Sequence, residues 1–187
     1  AKQLERLGVD IIEAGFPCST PGDLEAVRRI SEEVRDTTIC ALARAVTTDI
    51  DTAWEAVKAA ADPRIHVFIN TSDIQMAHQL HKDREQVLTQ AEYMVRHAAQ
   101  YTSNVEFSPM DATRADPRFV IEIVKRCIDA GATTINIPDS VGYAIPEELG
   151  GLFRSIVENV PNIHKARVSF HGQNDLNAII PNAVSAW

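Results

Sequence analysis

Along the chain, short apolar runs alternate with longer segments in which apolar residues recur every three or four positions. The runs are Val9–Phe16, Thr38–Ala43, Ile65–Asn70, Val105–Ser108, Thr133–Ile137 and Ala166–Phe170. Each is short and mostly apolar, the pattern of a strand covered on both faces. Helical spacing marks the segments between them. Gly22–Val34 carries Leu24, Val27, Ile30 and Val34, and Asp49–Ala61 follows the start signal Thr47-Thr48. Asp83–Tyr101 is the longest of these segments. Pro117–Ala130 opens on a proline suited to a first turn and stops at Gly131, and Pro146–Val160 opens the same way before Pro161. A further helix starts after Asp175, where Pro181 is tolerable only near the first turn. The opening AKQLERLGVD reads as mid-helix, so the natural N-terminus is expected upstream.

Six strand–helix units in strict alternation imply an α/β fold with a parallel sheet. A doubly wound open sheet normally carries a glycine-rich phosphate loop after its first strand, and none follows Val9–Phe16. A (β/α)8 TIM barrel needs eight units, so six with a leading partial helix fit an incomplete barrel, about strands two to seven. Residues 1–187 are expected to form one partial barrel domain, with no second domain.

The formal net charge of −8 argues against nucleic acid and anionic membranes as partners. No apolar run approaches the roughly 20 residues of a membrane span. Cys18, Cys40 and Cys127 are scattered and make neither a zinc spacing nor a disulfide framework. A reducing compartment is expected: the cytoplasm in a bacterium, the plastid stroma in a plant.

In a parallel barrel the active site lies at the C-terminal ends of the strands. The polar residues there are Glu13, Arg44, His66, Asn70, Thr71, Glu106, Ser108, Asp111, Asn136, Asp139, Ser140, His171, Gln173, Asn174 and Asp175. Strand ends are often polar, and each of these side chains is equally suited to capping a loop or helix. His66 and His171 are candidate ligands or proton carriers as well as histidines bonded to a backbone carbonyl. His78, His81, His97 and His164 are expected in solvent, and Trp54 in the core.

The same residues carry a family likeness. VDIIEAGFPCSTPGD (Val9–Asp23), ICALARA (Ile39–Ala45), IHVFINTSDI (Ile65–Ile74), VEFSP (Val105–Pro109) and ATTINIPDSVGY (Ala132–Tyr143) resemble, in order, strands two to six of the 2-isopropylmalate synthase family. FHGQNDL (Phe170–Leu176) falls where that family has His-x-His-Asn-Asp-Leu. The resemblance covers the whole chain. Homocitrate, citramalate and methylthioalkylmalate synthases share the frame, and a non-catalytic homologue would keep it too.

The resemblance implies an acyltransferase that condenses acetyl-CoA with 3-methyl-2-oxobutanoate, the first committed step of leucine biosynthesis, in a homodimer or homotetramer. It implies a divalent cation, Mn2+ or Mg2+, with His171 and Gln173 at its two histidine positions; Gln173 departs from the family there. It places Glu13, His66 and Ser140 among the catalytic groups, and Arg44, Thr71, Asp111 and Asn136 around the substrate. Met110 stands where the family has a glutamate implicated in proton transfer. Ser140 replaces a usual threonine, and Gln75 a frequent histidine. The family's aspartate and asparagine ligands would lie outside these residues, so catalysis by this chain alone is not expected.

Overall fold

The computed structural model describes residues 1–187. The six expected strands form one sheet: β1 Ile11–Gly15, β2 Thr38–Arg44, β3 Pro63–Asn70, β4 Val105–Met110, β5 Thr134–Asp139 and β6 Arg167–Gly172. All five neighbouring pairs are parallel. Their order in space is their order in sequence, β1 to β6, with no reversal. A doubly wound sheet reverses at its switch point, whereas a barrel advances one strand at a time. The sheet is therefore part of a barrel, with β1 and β6 as its edges.

The crossovers are α2 Pro21–Glu33, α3 Thr47–Val57, α5 Arg84–Ala98, α6 Pro117–Ala130 and α7 Pro146–Asn159, preceded by α1 Lys2–Leu7 and followed by α8 Ile179–Ala186. Local chemistry sets their starts. The Thr20 hydroxyl caps α2, Asp83 and Gln86 close a reciprocal capping box on α5, and Asp116 caps α6 ahead of Pro117. Pro181 is the third residue of α8, where its missing N–H costs no helical hydrogen bond. The sequence pattern misses α4, Asp73–Gln75, which runs into a π-helical turn over Met76–Leu80 and stops at His81, φ 51°. β4 and β5 also run beyond their expected ends through Pro109 and Pro138, in a stretch past the last β4–β5 pair, Phe107 with Ile135.

Alternation along the strands separates two faces. Ile39, Ala41, Ala43, Ile65, Val67, Phe107, Ile135 and Ile137 are fully buried and belong to one continuous core with Val27, Ile50, Val57, Val95, Ile123 and Ile156 of the helices. The alternate residues of the inner face are mostly polar: Glu13, Cys40, His66, Glu106, Ser108, Asn136 and Ser169. Trp54 packs against the core and stacks on Tyr101 at 5.5 Å. His97 corrects its expected solvent position: it is half-buried, 2.6 Å from Asp51.

Gly131 ends α6 at φ 121°, and a Cβ there would lie 2.9 Å from the Cβ of Ala99. Gly131→Ala is expected to cost about 1–3 kcal/mol in urea unfolding, from backbone strain plus the clash. An unchanged midpoint would show that the loop relaxes freely.

Candidate functional site

The inner face carries a chain of hydrogen bonds across five of the six strands. Glu13 Oε2 lies 2.5 Å from His66 Nδ1, and His66 Nε2 lies 2.6 Å from Ser108 Oγ. Asn136 Nδ2 donates to Ser108 Oγ at 2.8 Å, and Ser169 Oγ donates to Asn136 Oδ1 at 3.1 Å. A carboxylate on one side makes Nδ1 of His66 the donor, so Nε2 is left as an acceptor for the Ser108 hydroxyl. Burial alone would raise the Glu13 carboxyl; the hydrogen bond from His66, with the charge that ring and His171 carry when protonated, outweighs it and holds it below the usual range. Beneath this chain Arg64 pairs with Glu106 at 2.8 Å and donates to Asn104 at 2.8 Å.

At the rim the sequence candidates divide. Arg44 grips the buried Asp49 with two nitrogens, at 2.6 and 3.1 Å, and lies over the Phe16 ring at 5.6 Å. The side chain of Arg44 is 58% exposed, so its outer face stays open. Met110 closes β4 opposite Asn70 and shares with Arg44, Phe68 and Leu80 a cleft of about 620 Å³. Thr71 is buried and its hydroxyl donates to the Met110 carbonyl at 2.8 Å. Ser140 Oγ accepts from the Asp111 N–H at 2.9 Å, which ties the end of β5 to the end of β4. His171, next to last in β6, and Gln173, just past it, stand side by side on the exposed rim, with side-chain nitrogens 3.4 Å apart.

Asp111 does not reach the inner face. Its backbone is left-handed (φ 66°), and its fully buried carboxylate is held by two nitrogens of Arg114 and by the Ser72 hydroxyl at 2.5 Å. Arg114→Ala is expected to cost about 1.5–3 kcal/mol by stripping a buried charge of its partner, and Asp111→Asn should recover part of the loss. Chemical unfolding of the four variants of the cycle measures this. A stability independent of Arg114 would free Asp111 for another task.

Ser108, Cys40 and Ser169 belong to the inner face, yet the strand-end reading passed over the last two and gave Ser108 no role. Period-two alternation from Glu106 and Asn136 was the signal that could have found them. Cys40 Sγ is 3.8 Å from Glu13 Oε2.

The fold defines an α/β-barrel domain with a polar, histidine-centred inner face. The chain matches the HMGL-like family over residues 1–187, and it belongs to that family. It is 55% identical over its whole length to the 2-isopropylmalate synthase of Syntrophus aciditrophicus, covering 36% of that protein. It is 55% identical to that of Thermosynechococcus vestitus, covering 35%. The chain thus spans about a third of the length of the curated relatives it matches. Among solved structures, hydroxymethylglutaryl-CoA lyase from Pseudomonas aeruginosa superposes with a TM-score of 0.76 at 20% identity, over 98% of this chain and 62% of that one. The HMG-CoA lyase of Bacillus subtilis gives 0.76 at 18% identity, over 98% and 63%. At this identity the likeness concerns the fold alone.

Proposed function

We propose that the protein containing this chain condenses acetyl-CoA with 3-methyl-2-oxobutanoate and that water then hydrolyses the resulting thioester, releasing 2-isopropylmalate and CoA. The observation that carries the reading is identity of 52–55% across the whole chain to relatives named 2-isopropylmalate synthase. The polar inner face supports it, since proton transfer at a methyl group needs an oriented base.

In this reading His66 accepts a proton at Nε2 by way of the Ser108 hydroxyl bonded to it, Glu13 fixes its tautomer and balances its charge, and Asn136 holds Ser108 in place. Arg44 lines the rim where a carboxylate substrate enters; Thr71, expected at the substrate, is instead buried and braces the end of β4 through the Met110 carbonyl, and Ser140 braces the two strand ends. Asp111 supports the rim from beneath. His171 and Gln173 suit a divalent cation, Mn2+ or Mg2+: both are exposed neighbours, and the Gln173 amide turned over presents its oxygen beside the imidazole. Bound there, the cation supplies Lewis-acid polarisation of the substrate ketone. No helix is long and apolar enough to cross a membrane.

The test is thiol release from acetyl-CoA by the full-length protein with a panel of 2-oxo acids. Highest kcat/KM with 3-methyl-2-oxobutanoate is expected. Preference for pyruvate or 2-oxoglutarate would move the protein to a sibling synthase. Turnover of none of them, while the metal binds, would overturn the reading.

A further inference from the structure

Cys40 takes no part in the proposed condensation, yet it sits on the inner face as the direct register partner of Glu13. Glu13, Cys40 and His66 come from three adjacent strands, and their ligating atoms all lie within 4.8 Å of one another. A tetrahedral zinc ion, with Zn–S of about 2.3 Å and Zn–N or Zn–O of about 2.0–2.2 Å, spans ligand edges of roughly 3.3–3.7 Å. The Cys40 Sγ to Glu13 Oε2 distance of 3.8 Å is already near that edge. The Glu13–His66 distance of 2.5 Å must open by just under an ångström. The Glu13 side chain is 45% exposed and can move that far while the strands stay in register.

We propose that Glu13, Cys40 and His66 form a binding site for a thiophilic divalent cation such as Zn2+ or Cd2+. Sulfur and imidazole together select this class over Mg2+, which prefers an all-oxygen shell. Three protein ligands leave a fourth position for water. The site differs from the His171–Gln173 rim in residues, donor set and metal class. Burial and the neighbouring Glu13 and Glu106 carboxylates push the Cys40 thiol up, so the cation displaces its proton on entry. Occupancy also takes Glu13 away from His66 and dismantles the inner hydrogen-bond chain.

The probe is Cd2+ alone, titrated into the chain while the sulfur-to-cadmium charge-transfer band is followed in the ultraviolet. One saturable equivalent is expected. Cys40→Ser should abolish the band, and Glu13→Gln should weaken binding at least tenfold. Cys18→Ser with Cys127→Ser, which leaves Cys40 as the only thiol, should retain it, as should His171→Ala. This Cys40-only variant keeps the test decisive if Cys40→Ser does not fold. No band in the parent chain, a band that survives Cys40→Ser, or loss of the band in the Cys40-only variant would overturn the proposal.

Discussion

Met110→Glu together with Gln173→His raises kcat/KM of the full-length protein by about 10² or more. A group active in proton transfer is typically worth about 10²–10⁴ in rate. A thioether neither accepts a proton nor orders a water as a carboxylate does. Met110 is well placed to expose the deficit. It ends β4, two residues beyond Ser108, so alternation puts it on the same inner face, and it lines the cleft with Arg44 and Asn70. Asp111 does not substitute for the missing carboxylate, because Arg114 and Ser72 already hold it. Gln173 stands beside His171, so an imidazole there would add a stronger nitrogen donor at the same point of the rim. In the proposed reaction both changes would act on one centre, so their effects need not add. Met110→Glu alone would set a carboxylate beside a weakly held cation and recover little. The measurement is a double-mutant cycle on kcat/KM with Mn2+ or Mg2+ present. A fully active parent that gains nothing from the double change would show that Met110 and Gln173 serve as they stand.

The second large effect is a loss. Glu13→Gln lowers kcat of the full-length protein by about 10²–10⁴, the range associated with a mis-set general base. An amide oxygen can still accept from His66 Nδ1, but it carries no charge to balance a protonated ring. If the amide nitrogen faces the ring instead, Nδ1 must become the acceptor and the proton moves to Nε2, reversing the bond to Ser108. The fold should tolerate the change, since the Glu13 side chain is 45% exposed. The pH dependence has a definite sign. The Glu13 carboxyl is held below its usual range, first against burial and then by its hydrogen bond to His66. Its charge therefore persists as pH falls through the ordinary carboxylate range, and is lost only at the depressed folded value. The stability it contributes is complete above the unfolded carboxylate value and disappears on the same acid side. A kcat/KM profile in which Glu13→Gln keeps the parent's rate within a few-fold at every pH would remove Glu13 from the mechanism.

The order and type of the main elements were legible in the sequence because parallel strands covered on both faces are apolar throughout, while their crossover helices show an apolar stripe. Punctuation by Thr47, Pro117, Gly131 and Pro146 placed most boundaries within a few residues, since caps and turn residues act locally. The advance of β1 to β6 without reversal was not local. Two architectures share the same alternation of elements, and only the sheet's hydrogen bonding decides between them. The candidate site divided in the same way. A motif match could put Glu13, His66 and Asn136 on strands, but not show that one chain of hydrogen bonds joins them through Ser108. That chain depends on register between strands as far apart in sequence as Glu13 and His66. Asp111 shows the opposite case. Its place after β4 suggested substrate, but a left-handed backbone and Arg114 turn its carboxylate into the protein. Sequence determined which side chains were available and which strand carried each. Tertiary structure decided which met, because pairing at 2.5–3 Å is set by strand register and backbone angle, quantities that no single segment encodes.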